Sequence, residues 1–171
     1  MMELKEYIRT ELNNVKEGVT RVLNTLSQQE IAWRPCSGCN SIGLILFHMA
    51  RVEDSTVLAR LQGKSEVWES NKWYEKWKLP LSEVGAHYTV EQVNAFVVPD
   101  IKDLMGYFDT VHAKSMDYLK ELTPEQLDKK INMPRTGDTP AGLVLARMVG
   151  HLNQHCGEMS YLRGLQRGMD K

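Results

Sequence analysis

The sequence predicts an all-α fold: a four-helix bundle in up-down-down-up order, formed as a single domain over residues 1–171. Three observations predict it. Apolar residues recur at three- and four-residue steps over four long stretches, the amphipathic pattern of packed helices. Capping residues and breakers separate those stretches. A long aromatic-rich connection between the second and third is able to carry the chain back to its starting end, which sets those two helices parallel. No β-rich alternation competes with this reading.

The first helix is expected from Met2 to Leu26, with Leu4, Ile8, Leu12, Val15, Val19, Val22 and Leu26 as its stripe. Gly18 weakens it without ending it. The stretch "SQQEIAWRPCSGCN" reads as a loop. Asn40 or Ser41 is a good N-cap for the second helix, which runs to about Leu61 with Gly63 as its C-cap. Its inner stripe is Ile45, His48, Met49, Val52 and Ala59.

Lys64 to Tyr88 shows no steady period and carries Trp68, Trp73, Tyr74 and Trp77. Long aperiodic connections are often functional. Thr89 and Gln92 then form a capping-box pattern for a short helix that ends before Pro99. The third long helix spans Asp100 to Leu122, with Ile101, Leu104, Met105, Phe108, Val111, Ser115 and Leu119 inward. A helical turn is expected at Pro124–Leu127. Thr139 is placed to cap the fourth helix and Pro140 to occupy its first position. That helix runs to about Gln166, with Gly168 just beyond.

A formal charge of −1, with basic residues scattered, lacks the footprint that nucleic acid or an anionic membrane surface requires. The longest apolar run, within "SIGLILFHMA", is too short to span a bilayer. The N-terminus "MMELKEYIRTEL" has no apolar core of a signal peptide. A cytoplasmic protein is therefore expected. Three cysteines in a chain of this size argue against a disulfide framework. Cys36 and Cys39 in "PCSGCN" read as a loop turn with incidental thiols, with a redox pair as the alternative. Cys156 reads as a small buried apolar residue. Arg51, Glu53 and Asp54 read as helix-surface or interface charges.

The chemistry lies with the histidines. In "GHLNQHCGEM", His151 and His155 stand four apart, and four residues turn a helix by about 40° only, so they share one face. The spacing is that of a zincin protease, but Leu152 stands where that motif carries its glutamate. His48 also falls on an inward stripe. Three inward imidazoles are either separately satisfied core histidines or one metal site. Glu158, three residues after His155, lies near the same face as an acceptor for an imidazole N–H or as an edge residue. His112 reads as a packing histidine and His87 as a solvated or hydrogen-bonding one.

The stretches "SIGLILFHMARVEDSTV" and "LVLARMVGHLNQHCGEMSYLRGLQRG" resemble the DinB/YfiT-like superfamily of four-helix-bundle metalloenzymes. "WRPCSGCNSIG", "VWESNKWYEKWKLP" and "AHYTVEQV" extend the resemblance over nearly the whole chain. The resemblance implies that His48, His151 and His155 bind a divalent metal ion (zinc, nickel, iron or manganese). It also implies a homodimer. Members include thiol-dependent S-transferases, so the expected partners are a small-molecule thiol and an electrophilic substrate. The metal would hold the thiol as a thiolate nucleophile, and the aromatic connection would cover the open side. The alternatives are a metal-dependent hydrolase using metal-bound water, for which Glu158 is the candidate base, or a non-catalytic metal- or ligand-binding stress protein.

Overall fold

The computed structural model describes residues 3–134 and 136–168. Met2, the predicted start of the first helix, and the extreme ends of the 1–171 span lie outside the described residues. Helix α1 covers Leu4–Leu23 and buries Ile8, Leu12, Val15, Val19 and Val22. Leu4, at the head of the predicted stripe, is 44% exposed. The helix ends three residues earlier than predicted, because Thr25 adopts a left-handed conformation with φ 66°.

A short helix, α2 (Gln28–Ala32), replaces the first part of the predicted loop. Ser27 and Glu30 form its capping box. Five residues are too few to show a helical period, but they place Ile31 in the core. Helix α3 (Ile42–Asp54) starts as predicted, with the Ser41 hydroxyl accepting from the Leu44 N–H. It continues as a π-helical segment over Ser55–Leu61, and Gly63, with φ 65°, follows its end. The predicted single stripe understates the burial of α3: Leu44, Leu46, Phe47 and Ala50 are buried too. The helix is covered by α7, α9 and the connection that follows it.

That connection contains α4 (Val67–Ser70), α5 (Trp73–Trp77) and α6 (Val90–Ala95), the last opened by the Thr89/Gln92 capping box. Helix α7 spans Ile101–Glu121 and α8 spans Pro124–Asp128. A two-stranded hairpin not expected from the sequence follows, with β1 (Lys130–Met133) antiparallel to β2 (Gly137–Pro140). Strands of four residues are too short to declare themselves by alternation. Helix α9 then runs over Ala141–Arg167. Thr139 does not cap it; its hydroxyl donates instead to the Gly137 carbonyl at 3.1 Å inside the hairpin.

Side-chain contacts fix the helix directions. Asn153 meets Glu11 and, farther along both helices, Arg163 meets the Val22 carbonyl, so α9 runs parallel to α1. Lys5 reaches the Leu122 carbonyl while Lys16 pairs with Asp109, so α7 opposes α1. Gly43 faces Val98 just ahead of α7, and Glu53 approaches His112, so α3 and α7 run parallel. The bundle is up-down-down-up.

Of the tryptophans of the connection, Trp68 belongs to the core, and Trp73 and Trp77 pack half-buried against it. Trp68 is fully buried, with its ring centroid 5.5 Å from Phe47 and 5.7 Å from Tyr107. Its indole N–H donates to the Leu81 carbonyl at 3.0 Å. Beneath it lies a buried polar network of Arg51 and Asp54, 2% and 0% exposed, while Glu53, 0% exposed, is buried apart from it against His112; all three correct the surface reading. The Asp54 carboxylate accepts from the Val67 and Trp68 N–H groups, each at 2.9 Å, and from the Tyr107 hydroxyl at 2.8 Å. Arg51 pairs with Glu66 at 2.6 Å and donates through Nε to the Glu83 carbonyl at 2.8 Å. Buried charges persist when they are paired and hydrogen-bonded. The partners come from the distant connection, so the helix sequence alone reads as surface.

Candidate metal centre

His48, on α3, meets His151 and His155, on consecutive turns of α9. The Nε2 atoms of His48 and His151 are 3.0 Å apart, and those of His155 and His151 are 3.2 Å apart. The rings meet edge to face, with interplanar angles of 82° and 89° between His48 and the other two. One ligand atom from each residue lies within 4.8 Å of the others, and this is the one such group of three or more metal-ligating side chains among the described residues. All three side chains are half-buried.

The outer nitrogens decide what the inner ones can do. His48 Nδ1 lies 2.8 Å from the Val84 carbonyl, and a carbonyl only accepts. His155 Nδ1 lies 2.8 Å from the Glu158 carboxylate. Each Nδ1 therefore carries the proton and each Nε2 presents a lone pair to the centre. Burial pushes the His48 imidazole pKa down, opposed by the Val84 carbonyl and aided by His155 and His87. Burial also lowers His151, with His155 and His48 adding to the effect. Both rings are held in the neutral form that a metal ligand needs.

The nitrogen spacing fits such an ion. A four-coordinate zinc with Zn–N bonds of about 2.0–2.1 Å sets its nitrogens about 3.3–3.4 Å apart. The separations of 3.0 and 3.2 Å fall within a few tenths of an ångström of that. Three ring nitrogens facing one another at this range call for a cation or a shared proton between them.

The remaining sequence candidates separate cleanly. Glu158 is an outer acceptor on His155, with its side chain 53% exposed. His112 is 4% exposed and sits away from the triad, between Asn13 and Glu53. His87 is exposed, at φ 59°, and is not one of the three converging imidazoles. Cys156 is half-buried against Gly18, where an added Cβ would lie 2.6 Å from its sulfur, so it packs on α1 and is no ligand. Trp68, Trp73, Tyr74 and Trp77 do not form the cover expected over the histidines; they cluster on Phe47 and Tyr107.

What the connection brings to the site is backbone, which sequence reasoning missed. Gly85 lies against α3 with φ 67°, where an added Cβ would stand 2.9 Å from Phe47 and 3.3 Å from His48 Cβ. Only glycine lets the chain pass this close. Glu83 ties down the turn by accepting from the Val84 and Gly85 N–H groups at 2.9 and 2.8 Å. A glycine two residues before His87 was the one available signal, and an aperiodic segment gave it no register.

Comparison with known proteins agrees with this architecture. A conserved protein from Enterococcus faecalis has a crystal structure similar to this chain, with a TM-score of 0.85 and 24% identity over 96% of this chain and 98% of that one. YfiT from Bacillus subtilis, described as a probable metal-dependent hydrolase with an unusual four-helix bundle topology, is similar with a TM-score of 0.63 and 15% identity, over 96% of this chain and 87% of its own. At these identities the likeness concerns the fold. No curated protein matches the chain. No helix among the described residues is long and apolar enough to cross a membrane. Residues 11–159 match the family model of the DinB superfamily, and the chain belongs to that superfamily.

Proposed function

We propose that His48, His151 and His155 together bind one divalent metal ion (zinc, nickel, iron or manganese) and that the protein is a metal-dependent thiol S-transferase. It would join a small-molecule thiol to an electrophilic substrate. The observation that carries the reading is the convergence of three Nε2 atoms while Val84 and Glu158 hold the Nδ1 protons of two of the rings. When bound, the ion supplies Lewis-acid chemistry and lowers the pKa of a thiol that reaches it. The chain's own part is to orient His48 and His155 through their Nδ1 partners, to favour neutral His48 and His151 by burial, and to leave the rim half-exposed for substrate. Three protein ligands are the complement of a catalytic site with an open position. Thiol chemistry also needs no protein base, and the nearest carboxylate, Glu158, is engaged with His155.

Elemental analysis of the purified protein should find about one metal per chain, and His48→Ala, His151→Ala or His155→Ala should lose it on dialysis. The loaded protein should consume glutathione, bacillithiol or mycothiol with monobromobimane or chlorodinitrobenzene. Metal-loaded protein inert across that panel sinks the transferase reading. The family resemblance also implies a homodimer, which sedimentation equilibrium tests.

A second reading, a metal-dependent hydrolase, is favoured by Glu158, a carboxylate beside the site with its side chain 53% exposed and one oxygen, Oε2, on His155. YfiT's description points the same way for that protein. Loss of ester or amide hydrolysis in Glu158→Gln, with the metal retained, would select it.

A further inference from the structure

Cys36 and Cys39 are bonded to each other, which corrects the reading of incidental thiols. Their Cα atoms are 5.2 Å apart, inside the range a disulfide spans. Cys36 is exposed and Cys39 half-buried. The loop is shaped by contacts that do not involve sulfur. The Cys39 N–H donates to the Cys36 carbonyl at 3.2 Å, closing a turn. Gly38, at φ 75°, donates its N–H to Asn94 Oδ1 at 2.9 Å, and Asn94 donates to the Ser37 hydroxyl at 2.9 Å. An added Cβ on Gly38 would meet Val90 at 3.0 Å, so the loop is seated directly on α6.

Two consequences follow. A disulfide closing so short a loop removes little freedom from the unfolded chain, so it adds little to stability. The turn also survives if the bond opens, which keeps the two thiols close enough to close it again.

We propose that Cys36 and Cys39 form a reversible dithiol–disulfide site that exchanges with low-molecular-weight thiols and disulfides, separate from the histidine centre. In the reducing direction an external thiolate attacks the exposed Cys36 sulfur, and Cys39 leaves as thiolate. A second external thiolate then attacks the mixed disulfide and releases Cys36. Two external thiols become one disulfide, the protein gains two thiols, and two electrons and two protons are transferred.

The test counts thiols in the native full chain by alkylation with iodoacetamide and mass spectrometry. After oxidised glutathione, neither Cys36 nor Cys39 should be alkylated. After dithiothreitol without denaturant, both should be, with the circular dichroism spectrum unchanged. Cys39→Ser treated with oxidised glutathione should carry one glutathione on Cys36. Three results overturn the proposal: both thiols still alkylatable after the oxidant, reduction that proceeds only in denaturant, or reduction that unfolds the protein. Metal content is read in the same samples and should stay constant, so failure here is distinguishable from failure of the metal site.

Discussion

Helix α3 presents acid–base chemistry in two directions, and the two regions behave differently. Toward α9, His48 joins His151 and His155 in a half-exposed cluster whose inner nitrogens point at one another. Toward α7, Glu53 lies 3.7 Å from His112, and both are almost completely buried. Glu53's two oxygens and His112 Nδ1 have no hydrogen-bond partner among the described residues. The first cluster has the outer nitrogens of His48 and His155 satisfied and its three Nε2 atoms gathered, which suits a ligand. The second holds one imidazole and one carboxyl facing each other inside the bundle, with His112 Nε2 on Asn13, which suits a structural pair. Inward-facing histidine is thus not itself the mark of a site. The direction of the lone pairs is.

The largest expected effect separates the two regions outright. His151→Ala should abolish metal binding by removing the nitrogen that both other imidazoles face, whereas His112→Leu should leave metal content intact. His112→Leu should instead cost about 1–3 kcal/mol of stability, because it leaves the buried Glu53 carboxyl without the one polar side chain it approaches; urea denaturation measures this. If His112→Leu removes the metal and leaves stability unchanged, the comparison is inverted.

A smaller effect is expected at the outer acceptor. Glu158→Gln should weaken metal affinity by about 10–100-fold, the usual consequence of losing a carboxylate behind a metal-binding histidine. Competition with a chromophoric chelator measures it, and an unchanged affinity would make Glu158 a mere surface acid. Smaller again is Gly85→Ala, expected to destabilise by about 1–2 kcal/mol, since it combines a left-handed φ with a close approach to Phe47 and His48. Thermal denaturation reads this, and a shift in metal affinity would show that the Val84 carbonyl orients His48.

The pH dependence is the mildest effect at neutral pH. His48 and His151 have folded-state pKa values below the ordinary 6.5, so the unfolded chain binds more protons between those values. Stability of the metal-free protein is therefore intact above about 6.5 and falls as pH drops through 6.5 toward the folded pKa. Metal retention should fall over the same window, because protons compete for the same nitrogens. A triple His48→Ala, His151→Ala, His155→Ala variant should show a flatter stability profile between pH 7 and 5.

Much of this was legible in the residues. From Ile8 to Val22 in α1 and from Leu104 to Leu119 in α7 the inward residues lie where their periodicity sets them, and the caps at Ser41 and Thr89 form as their spacing predicts. His151 and His155 share a face because a helix puts residues four apart on one side. Legibility failed where a segment was short or its partner distant. Helix α2 and the β1–β2 hairpin are too brief to carry a period. Arg51 and Asp54 read as surface because Glu66, Tyr107 and the Val67 and Trp68 N–H groups, which make their burial tolerable, lie outside α3.

The helical bundle and the candidate residues follow from local periodicity and from histidines falling on apolar stripes, so the residue order alone carries them. That His48 reaches the α9 pair while His112 does not is a matter of packing. The tertiary structure also decided that the aromatic connection packs on the core and lends the site a carbonyl at Val84, and that Cys36 and Cys39 meet. The reason is geometric. A helix fixes the angle between neighbours four residues apart, but the meeting of side chains on different helices depends on how far each helix is rotated and shifted against the next. Packing of the whole core sets those rotations, and no local pattern encodes them.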